Sequence, residues 1–403
     1  MVIKNEIKKC LFSLLVGLSV GVIEVIFGKM LILITSIRES YFFPLILFLP
    51  FGGLAIVALY SLIGGRSKEG MGLIFKVGHG EEEKVPIVLI PLVMVSTWLT
   101  HLFGGSAGRE GVAVQIGGAF SNWLARGKLF LDFNQVEWRK TSMIIGMAAG
   151  FAGLFQTPLA ATFFALEVLV IGKLEMKSIL YTGLAAYSAY FVSSGLGLEK
   201  ASFHIESTLT LTPLLLIELL LLGLLFALVG VSFSVGLRKG KGLFARLLPN
   251  GYQRIFIGGV LVALAIFMCH EGRYAGLGTN LITASFTGET IYSYDFLLKM
   301  LLTILTLSIG FQGGEVTPLF AIGCSFGVVV APLFGLPSTL VAALGYVAVF
   351  GSGTNTFFAP ILIGGEIFGF EWLPFFFVTM LSAYYFNFNY SIYGNQKNIE
   401  ELL

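Results

Sequence analysis

Glu110 and Glu315 are acidic residues set inside glycine-rich loops of a chain in which only 12% of residues are charged. Glu110 stands near the end of the run Gly104-Gly105-Ser106-Ala107-Gly108-Arg109-Glu110-Gly111, which leads into an apolar stretch. Glu315 lies in Gly310-Phe311-Gln312-Gly313-Gly314-Glu315-Val316-Thr317-Pro318, which has the same character 205 positions later. A carboxylate at membrane depth is costly, and by default it marks an ion or proton route. Helix N-termini bind anions, because unpaired N–H groups and the helix dipole converge there. A glutamate at such a terminus occupies an anion site when ionised and vacates it when protonated. The plainer alternative is a structural Arg109–Glu110 pair, disfavoured because adjacent side chains point in different directions.

Other chemistry fits less well. Gly104-x-Ser106-x-Gly108 matches the nucleophile pattern of serine hydrolases, with His101 or His270 as base, and would make an intramembrane serine hydrolase. The pattern is weak in so glycine-rich a chain, no strand precedes it, and it leaves the second loop unexplained. His79, His101, His204 and His270 have no i,i+4 partner among themselves, so no helix-borne metal site is expected. Cys10, Cys269 and Cys324 are far apart in apolar stretches and indicate neither a disulfide framework nor a thiolate site. No phosphate-binding loop is present, so no nucleotide or other cofactor is expected.

These residues must be positioned by an unusually apolar chain. Its 403 residues are 56% hydrophobic, with a mean hydropathy of +0.89. A soluble domain carries roughly twice this charged fraction. A polytopic, all-α membrane protein follows, with at most about eleven spans at roughly 20 residues each. A formal charge of +2 gives no electrostatic case for nucleic-acid binding. Apolar stretches run at roughly 10–35, 41–63, 85–103, 112–125, 141–171, 178–197, 209–236, 253–270, 294–311, 316–334, 337–350 and 356–388. Several are too short to span and many are broken by glycine or proline. Irregular backbone at membrane depth is tolerated only where protein buries it or a cavity runs past it, which is the mark of broken helices around a transport site.

The chain also reads as a duplication. After each glycine-rich loop comes a Gly/Ala-rich helix that breaks at proline: Gly146 to Glu167 through Thr157-Pro158, and Gly345 to Glu366 through Ala359-Pro360. Pro158 and Pro360 lie 202 apart, close to the loop offset. The expected halves are 1–206 and 207–403, with no soluble domain and a short polar tail from Asn395. Arg238, Lys239, Lys241 and Arg246 read as a cytoplasmic loop. Lys4, Lys8 and Lys9 before a first helix with no cleavage site put the N-terminus in the cytoplasm. Both termini of a multi-pass cell-membrane protein are then cytoplasmic.

Gly108-Arg109-Glu110-Gly111, followed by Val114-Gln115-Ile116-Gly117-Gly118, resembles the gating-glutamate motif of the CLC anion channels and transporters. The segment from Gly146 through Pro158 to Glu167 resembles the next helix of that family. Gly313-Gly314-Glu315-Val316-Thr317-Pro318 falls at its second anion-binding loop, and Ser391-Ile392-Tyr393 is similar to the tail that carries its inner-gate tyrosine. The resemblance covers about 65 to 395 in family order. It implies an inverted repeat with broken and re-entrant helices and a homodimer with one pathway per subunit. The anion-binding set it implies is Gly70, Met71, Gly72, Gly108, Arg109, Gly111, Glu315, Val316, Thr317 and Tyr393, with Glu110 as gate and proton carrier.

Departures from the family pattern narrow the substrate. Chloride members open the first anion loop with Gly-Ser-Gly-Ile-Pro, whereas this chain has Gly70-Met71-Gly72-Leu73. Glu315-Val316 stands where chloride members usually carry Ile-Phe. Both changes resemble the fluoride-exporting branch, the CLC-F fluoride/proton antiporters. Val168 occupies the place of the inner proton-transfer glutamate of many chloride/proton exchangers, immediately after Glu167, and the fluoride branch also lacks that carboxylate. The partners implied are fluoride, protons and the lipid bilayer. A chloride/proton exchanger, or a fluoride or chloride channel of the same fold, is the nearest alternative. Glu315 is expected to accept a hydrogen bond from a fluoride-associated proton, or else to be the partner of Arg109.

Overall fold

A computed structural model describes residues 2–127, 136–205 and 209–399. The expected dividing point near 207 and the last four residues of the tail lie outside the described residues.

The chain opens with α1 (Val2–Ser40), α2 (Phe42–Ile46) and α3 (Leu49–Leu59), and a π and a 3-10 turn lead on to α4 (Met71–Gly78). Next come α5 (Leu89–Leu102), α6 (Glu110–Ala125), α7 (Val136–Phe155), α8 (Pro158–Glu167) and α9 (Ile179–Gly195). The remainder holds α10 (Pro213–Leu247), α11 (Gly251–Met268), α12 (Thr279–Thr287) and α13 (Asp295–Ser308). It closes with α14 (Val316–Phe334), α15 (Ser338–Thr354), α16 (Phe358–Phe368) and α17 (Leu373–Tyr385). Two short strands, β1 (Val170–Ile171) and β2 (Lys397–Asn398), pair in parallel and pin the tail to the turn after α8.

Among the described residues, five helical stretches are long and apolar enough to cross a membrane, the run Leu49–Gly78 through α3 and α4 being one, and several other apolar helices are only 10–17 residues long. The protein is therefore a helical membrane protein built from both full spans and broken helices. The basic run expected as a loop is not one. Arg238, Lys239, Lys241 and Arg246 ride on the last turns of α10, a 35-residue helix with Thr212 as its side-chain N-cap and Pro213 at its first position. Charged residues near a helix end project beyond the apolar zone without ending the helix, so a cluster of them at that point does not require a loop.

Glycine sets the closest helix approaches. A Cβ on Gly117 would run into the carbonyl of Gly146, one on Gly323 into the carbonyl of Gly345, and each reciprocal substitution does the same. The pairs α6/α7 and α14/α15 thus pack by one device, backbone against backbone. A second crossing relation lies nearby. Glu167 at the end of α8 accepts hydrogen bonds from the Phe357, Phe358 and Ala359 amides at the start of α16 (3.1, 3.1 and 2.8 Å). Glu366 near the end of α16 accepts from Leu159 and Ala160 at the start of α8 (3.2 and 2.8 Å). Gln156 and Asn355, which precede these two helices, both adopt left-handed φ (63° and 53°). Equivalent positions are therefore 199 apart here, not 202. Pro158 opens α8, whereas Pro360 sits two residues into α16.

Candidate functional site

Three helices begin at one place. α4 starts at Met71, α6 at Glu110 and α14 at Val316, each after a glycine-rich turn. Gly70 has φ 52° and ψ −125°, a backbone that a side chain makes difficult. The turns before α6 and α14 are zipped together reciprocally: the Gly108 amide donates to the Gly314 carbonyl (2.5 Å) and the Gly314 amide to the Gly108 carbonyl (2.8 Å). A Cβ on Gly314 would lie 2.9–3.1 Å from the amide nitrogens of Gly111, Arg109 and Glu110. Glycine there is what lets the two loops close.

Glu110 is 1% exposed. Its Oε2 accepts from the Thr317 amide (3.0 Å), the Thr317 hydroxyl (2.5 Å) and, more weakly, the Arg109 amide (3.3 Å). The expectation that α6 itself supplies the donors is thus corrected. The carboxylate folds back across the Gly108–Gly314 junction and seats on the first turn of α14. Arg109 Nε approaches Oε1 at 3.6 Å without a hydrogen bond, so the two neighbours do meet. The guanidinium offsets part of the buried charge while Thr317 supplies the directional bonds.

A cavity of about 480 Å³ leads to this junction. Gly70, Met71, Gly72, Gly111, Glu315 and Tyr393 line it, with Lys68, Arg238 and Lys241 also along its wall. It therefore brings together part of the expected anion set from four separate regions of sequence. Gly108, Arg109, Val316 and Thr317 stand just behind that lining, on the two turns joined by the glycine bridge. Tyr393 is held by its ring against Phe75, with centroids 5.2 Å apart, and its buried hydroxyl has no hydrogen-bond partner. Gln396 anchors the same tail by donating to the Val168 carbonyl at 2.9 Å.

Glu315 faces the cavity, and Lys241 Nζ lies 3.8 Å from its Oε1. The alternative of Glu315 as the partner of Arg109 is corrected: Arg109 is turned to Glu110. Sequence reasoning missed Lys241 as a site residue because it was assigned to a loop. Gln115 was also missed. It lies one turn after Gly111, donates to the Gly111 carbonyl (3.2 Å), and its Oε1 rests against Gly70 in the cavity wall.

The hydrolase reading finds no base. Ser106 Oγ lies 2.9 Å from Thr303 Oγ1 and receives a hydrogen bond from Lys299 Nζ at 2.9 Å. Lys299 also donates to the Tyr274 and Gly276 carbonyls (3.2 and 2.7 Å), so its three donors are all spent on oxygen and no lone pair is offered. His101 Nε2 faces the Gly108 carbonyl (3.3 Å) and His270 the Tyr294 hydroxyl (2.8 Å).

The sequence profile of the voltage gated chloride channel family matches residues 52–387. Over 390 residues, 95% of this chain and 85% of the relative, the chain is 34% identical to a chloride/fluoride channel protein of Pseudomonas syringae pv. tomato. A crystal structure of a CLC-type fluoride/proton antiporter superposes with a TM-score of 0.94 at 54% identity, covering 97% of this chain and 98% of that one. A slow cyanobacterial Cl⁻/H⁺ antiporter, 21% identical, shares the fold with a TM-score of 0.80 over 94% of each chain.

Proposed function

The chain belongs to the voltage gated chloride channel family, and on that premise we propose that it exports fluoride in exchange for protons. The observation that carries this reading is the seat of Glu110. One buried carboxylate occupies the N-terminus of α14, beside a cavity lined by Met71, where the chloride pattern has serine, and by Glu315. Ionised, Glu110 competes with an anion for the Thr317 amide and hydroxyl. Protonated, it loses the charge that holds it there and frees both donors. Occupancy by fluoride and protonation of Glu110 are then coupled, which is what antiport requires.

Fluoride is small and strongly hydrated, so burying it requires replacement donors. The amides that open α4, α6 and α14, with the Thr317 and Tyr393 hydroxyls, are the donors available. Met71 narrows the first loop and withholds the hydroxyl that would serve the larger chloride. Exchange of one fluoride for one proton moves two charges per turnover. At ~2.3 kcal/mol per charge per 100 mV, the drive is ~4.6 kcal/mol and sustains a gradient of more than roughly a thousandfold.

The proposal extends to arrangement. The halves 1–206 and 207–403 are related by exchange, as the Gly108–Gly314 bridge and the Glu167/Glu366 caps support. Both termini are cytoplasmic. The start of α1 shares a face with Arg139 and Lys140 of α7 and with Lys397 of the tail, and Lys9 lies 5.4 Å above the Tyr181 ring at the start of α9. Lys68, Arg238 and Lys241 give the cavity wall the same basic character. The family resemblance adds a homodimer. The protein is a transporter and not an enzyme.

Fluoride efflux from proteoliposomes, followed by a fluoride electrode with external pH recorded together, tests the reading. Fluoride release with proton uptake and little chloride release supports it. Fluoride release with no pH change makes the protein a channel, and fast chloride release returns it to a chloride exchanger.

A further inference from the structure

Beside the cavity at the Gly108–Gly314 junction lies a second chamber of about 420 Å³, and the two share Lys68, Lys241 and Gln312 in their walls. Its polar lining comes from several elements. Lys68 belongs to the 3-10 turn before α4, Lys241 to α10, Arg254 to the first turn of α11 and Ser308 to the end of α13. Tyr60 and Ser61 enter from the π turn after α3, a helical form found mostly at functional sites. Arg254 and Ser308 line this chamber and not the first cavity.

The charge of the chamber is one-sided. Among the described residues, three cations and no carboxylate line it. Glu69, next to Lys68 in sequence, is bonded to Lys76 (2.8 Å) and Arg66 (3.4 Å). Glu315 faces the first cavity, with Lys241 Nζ at 3.8 Å, too far for a hydrogen bond. Among the described residues, neither Lys68 nor Arg254 has an ion-pair partner. Ser308 is 5% exposed, and its Oγ, like Arg254 Nε, is buried with no hydrogen-bond partner. Basic side chains at the end of a membrane helix ordinarily reach out to water. Three of them around one chamber, with orphaned donors in its wall and no acid, are complementary to an anion.

The number and kind of these groups select among anions. A halide has one charge at one centre and meets only one of the three cations well. A phosphate monoester carries about −1.5 to −2 charges and presents three acceptor oxygens, which face separate cations at once. The planar fork of arginine suits two of those oxygens, and lysine serves as a point charge for the third. The chamber volume falls within the range of small-ligand pockets, ~300–1,000 Å³. Leu62, Ile63 and Leu247, beside the lining in sequence, are apolar and exposed. A lipid headgroup therefore has access as well as a free phosphate.

We propose that this chamber binds a phosphate group and that its occupancy slows fluoride transport. Lys241 is the link, because it stands in both walls and its side chain is half exposed and only loosely held at Glu315. A phosphate that draws Lys241 and Lys68 toward the second chamber takes positive charge from the cavity that fluoride enters. The binding stands apart from the function proposed above, whereas the effect on rate rests on it.

The test uses the full chain as wild type, Arg254→Gln and Arg254→Lys. Inorganic phosphate is titrated into purified protein by calorimetry. Fluoride efflux is followed from phosphatidylcholine vesicles with and without phosphate, and from vesicles that also contain phosphatidic acid. Wild type is expected to bind phosphate about tenfold more tightly than Arg254→Gln, the worth of one hydrogen bond to a charged group, with Arg254→Lys between them. Phosphate should slow wild-type efflux and spare Arg254→Gln, which keeps its basal rate. Slowing by phosphatidic acid alone, with the same dependence on Arg254, supports the site and makes the headgroup its source. Equal binding by wild type and Arg254→Gln puts phosphate in the first cavity and overturns the proposal, as does a lack of any Arg254-dependent response to either probe. Binding with unaltered efflux overturns the control through Lys241. Lys68→Gln, at an exposed position, repeats the binding measurement if Arg254→Gln does not fold. Fluoride release without proton uptake overturns the antiport reading and leaves the phosphate titration to decide the site.

Discussion

Replacing Glu110 with glutamine keeps the shape of the side chain and removes its charge, so its effect on fluoride can be worked from the three donors it engages. Oε2 takes the Thr317 amide at 3.0 Å, the Thr317 hydroxyl at 2.5 Å and the Arg109 amide at 3.3 Å. A hydrogen bond to a charged group contributes about 1.5–3 kcal/mol net and a neutral one about 0.5–1.5, so each bond weakens by about 1 kcal/mol in the amide. Two or three bonds make Glu110→Gln a weaker competitor by about 2–3 kcal/mol. Fluoride affinity measured against a docked side chain is reduced by the fraction of sites left free. The variant should therefore bind fluoride roughly 30- to 150-fold more tightly, at about 1.4 kcal/mol per factor of ten. Titration calorimetry on the purified protein reads this directly. A pH series adds the sign. In the wild type, protonation discharges the competitor, so affinity rises as pH falls; in Glu110→Gln it stays flat. Affinities within threefold of each other, with equal pH slopes, would refute the idea that the carboxylate and fluoride share the start of α14.

Four further outcomes are expected. Met71→Ser restores a hydroxyl to the first loop and should cut the fluoride-over-chloride preference by about tenfold, the worth of one hydrogen bond to an anion; an unchanged ratio of efflux rates would make Met71 a packing residue. Glu167→Leu and Glu366→Leu each strip a helix start of its acceptor, so each should lower stability by about 1–3 kcal/mol, and by similar amounts, in thermal unfolding. Gly323→Ala drives a methyl group into the Gly345 carbonyl and should cost about 1–3 kcal/mol, while Gly183→Ala, which meets nothing within 4 Å, should be silent in the same assay. At the tail, the bond from Lys397 holds the Glu81 carboxyl below its ordinary range. That contribution to tail docking is complete above an unfolded value of about 4.3 and is lost as pH falls through the lower folded one, so amide protection at Gln396–Asn398 should drop below about pH 4.

What the sequence made legible was whatever chemistry writes in short range. The glycine turns and their carboxylates, Glu110 and Glu315, are local, and the structure brings both loops to one junction. Membrane helices announce themselves by apolar length, so α1, α10 and α11 were clear as spans. Two kinds of feature were not legible. Lys241 and Arg238 sit on helical spacing, but a basic run after an apolar one looks the same whether a helix continues through it or ends before it. The direction of the Glu110 side chain was also hidden, because the donors it prefers belong to a helix more than 200 residues away. Gln115 fell between these cases: its i+4 relation to Gly111 was visible, but its contact with Gly70 was not.

The crossing of contacts has a consequence for how the site can exist at all. Glu110 comes from the segment that holds α6 and sits on α14 of the later one; Glu167 of α8 caps the start of α16 and Glu366 of α16 the start of α8; Gly108 and Gly314 bond to one another. In each case the stronger partners come from the other segment. A free helix start leaves several amides without acceptors, and a buried carboxylate without donors is costlier still. Either segment alone would therefore bury unpaired groups at each of these points, and pairing the two removes them together. The same geometry leaves the α14 amides with one acceptor at a time. On the reading proposed above, Glu110 and fluoride would take turns at those amides.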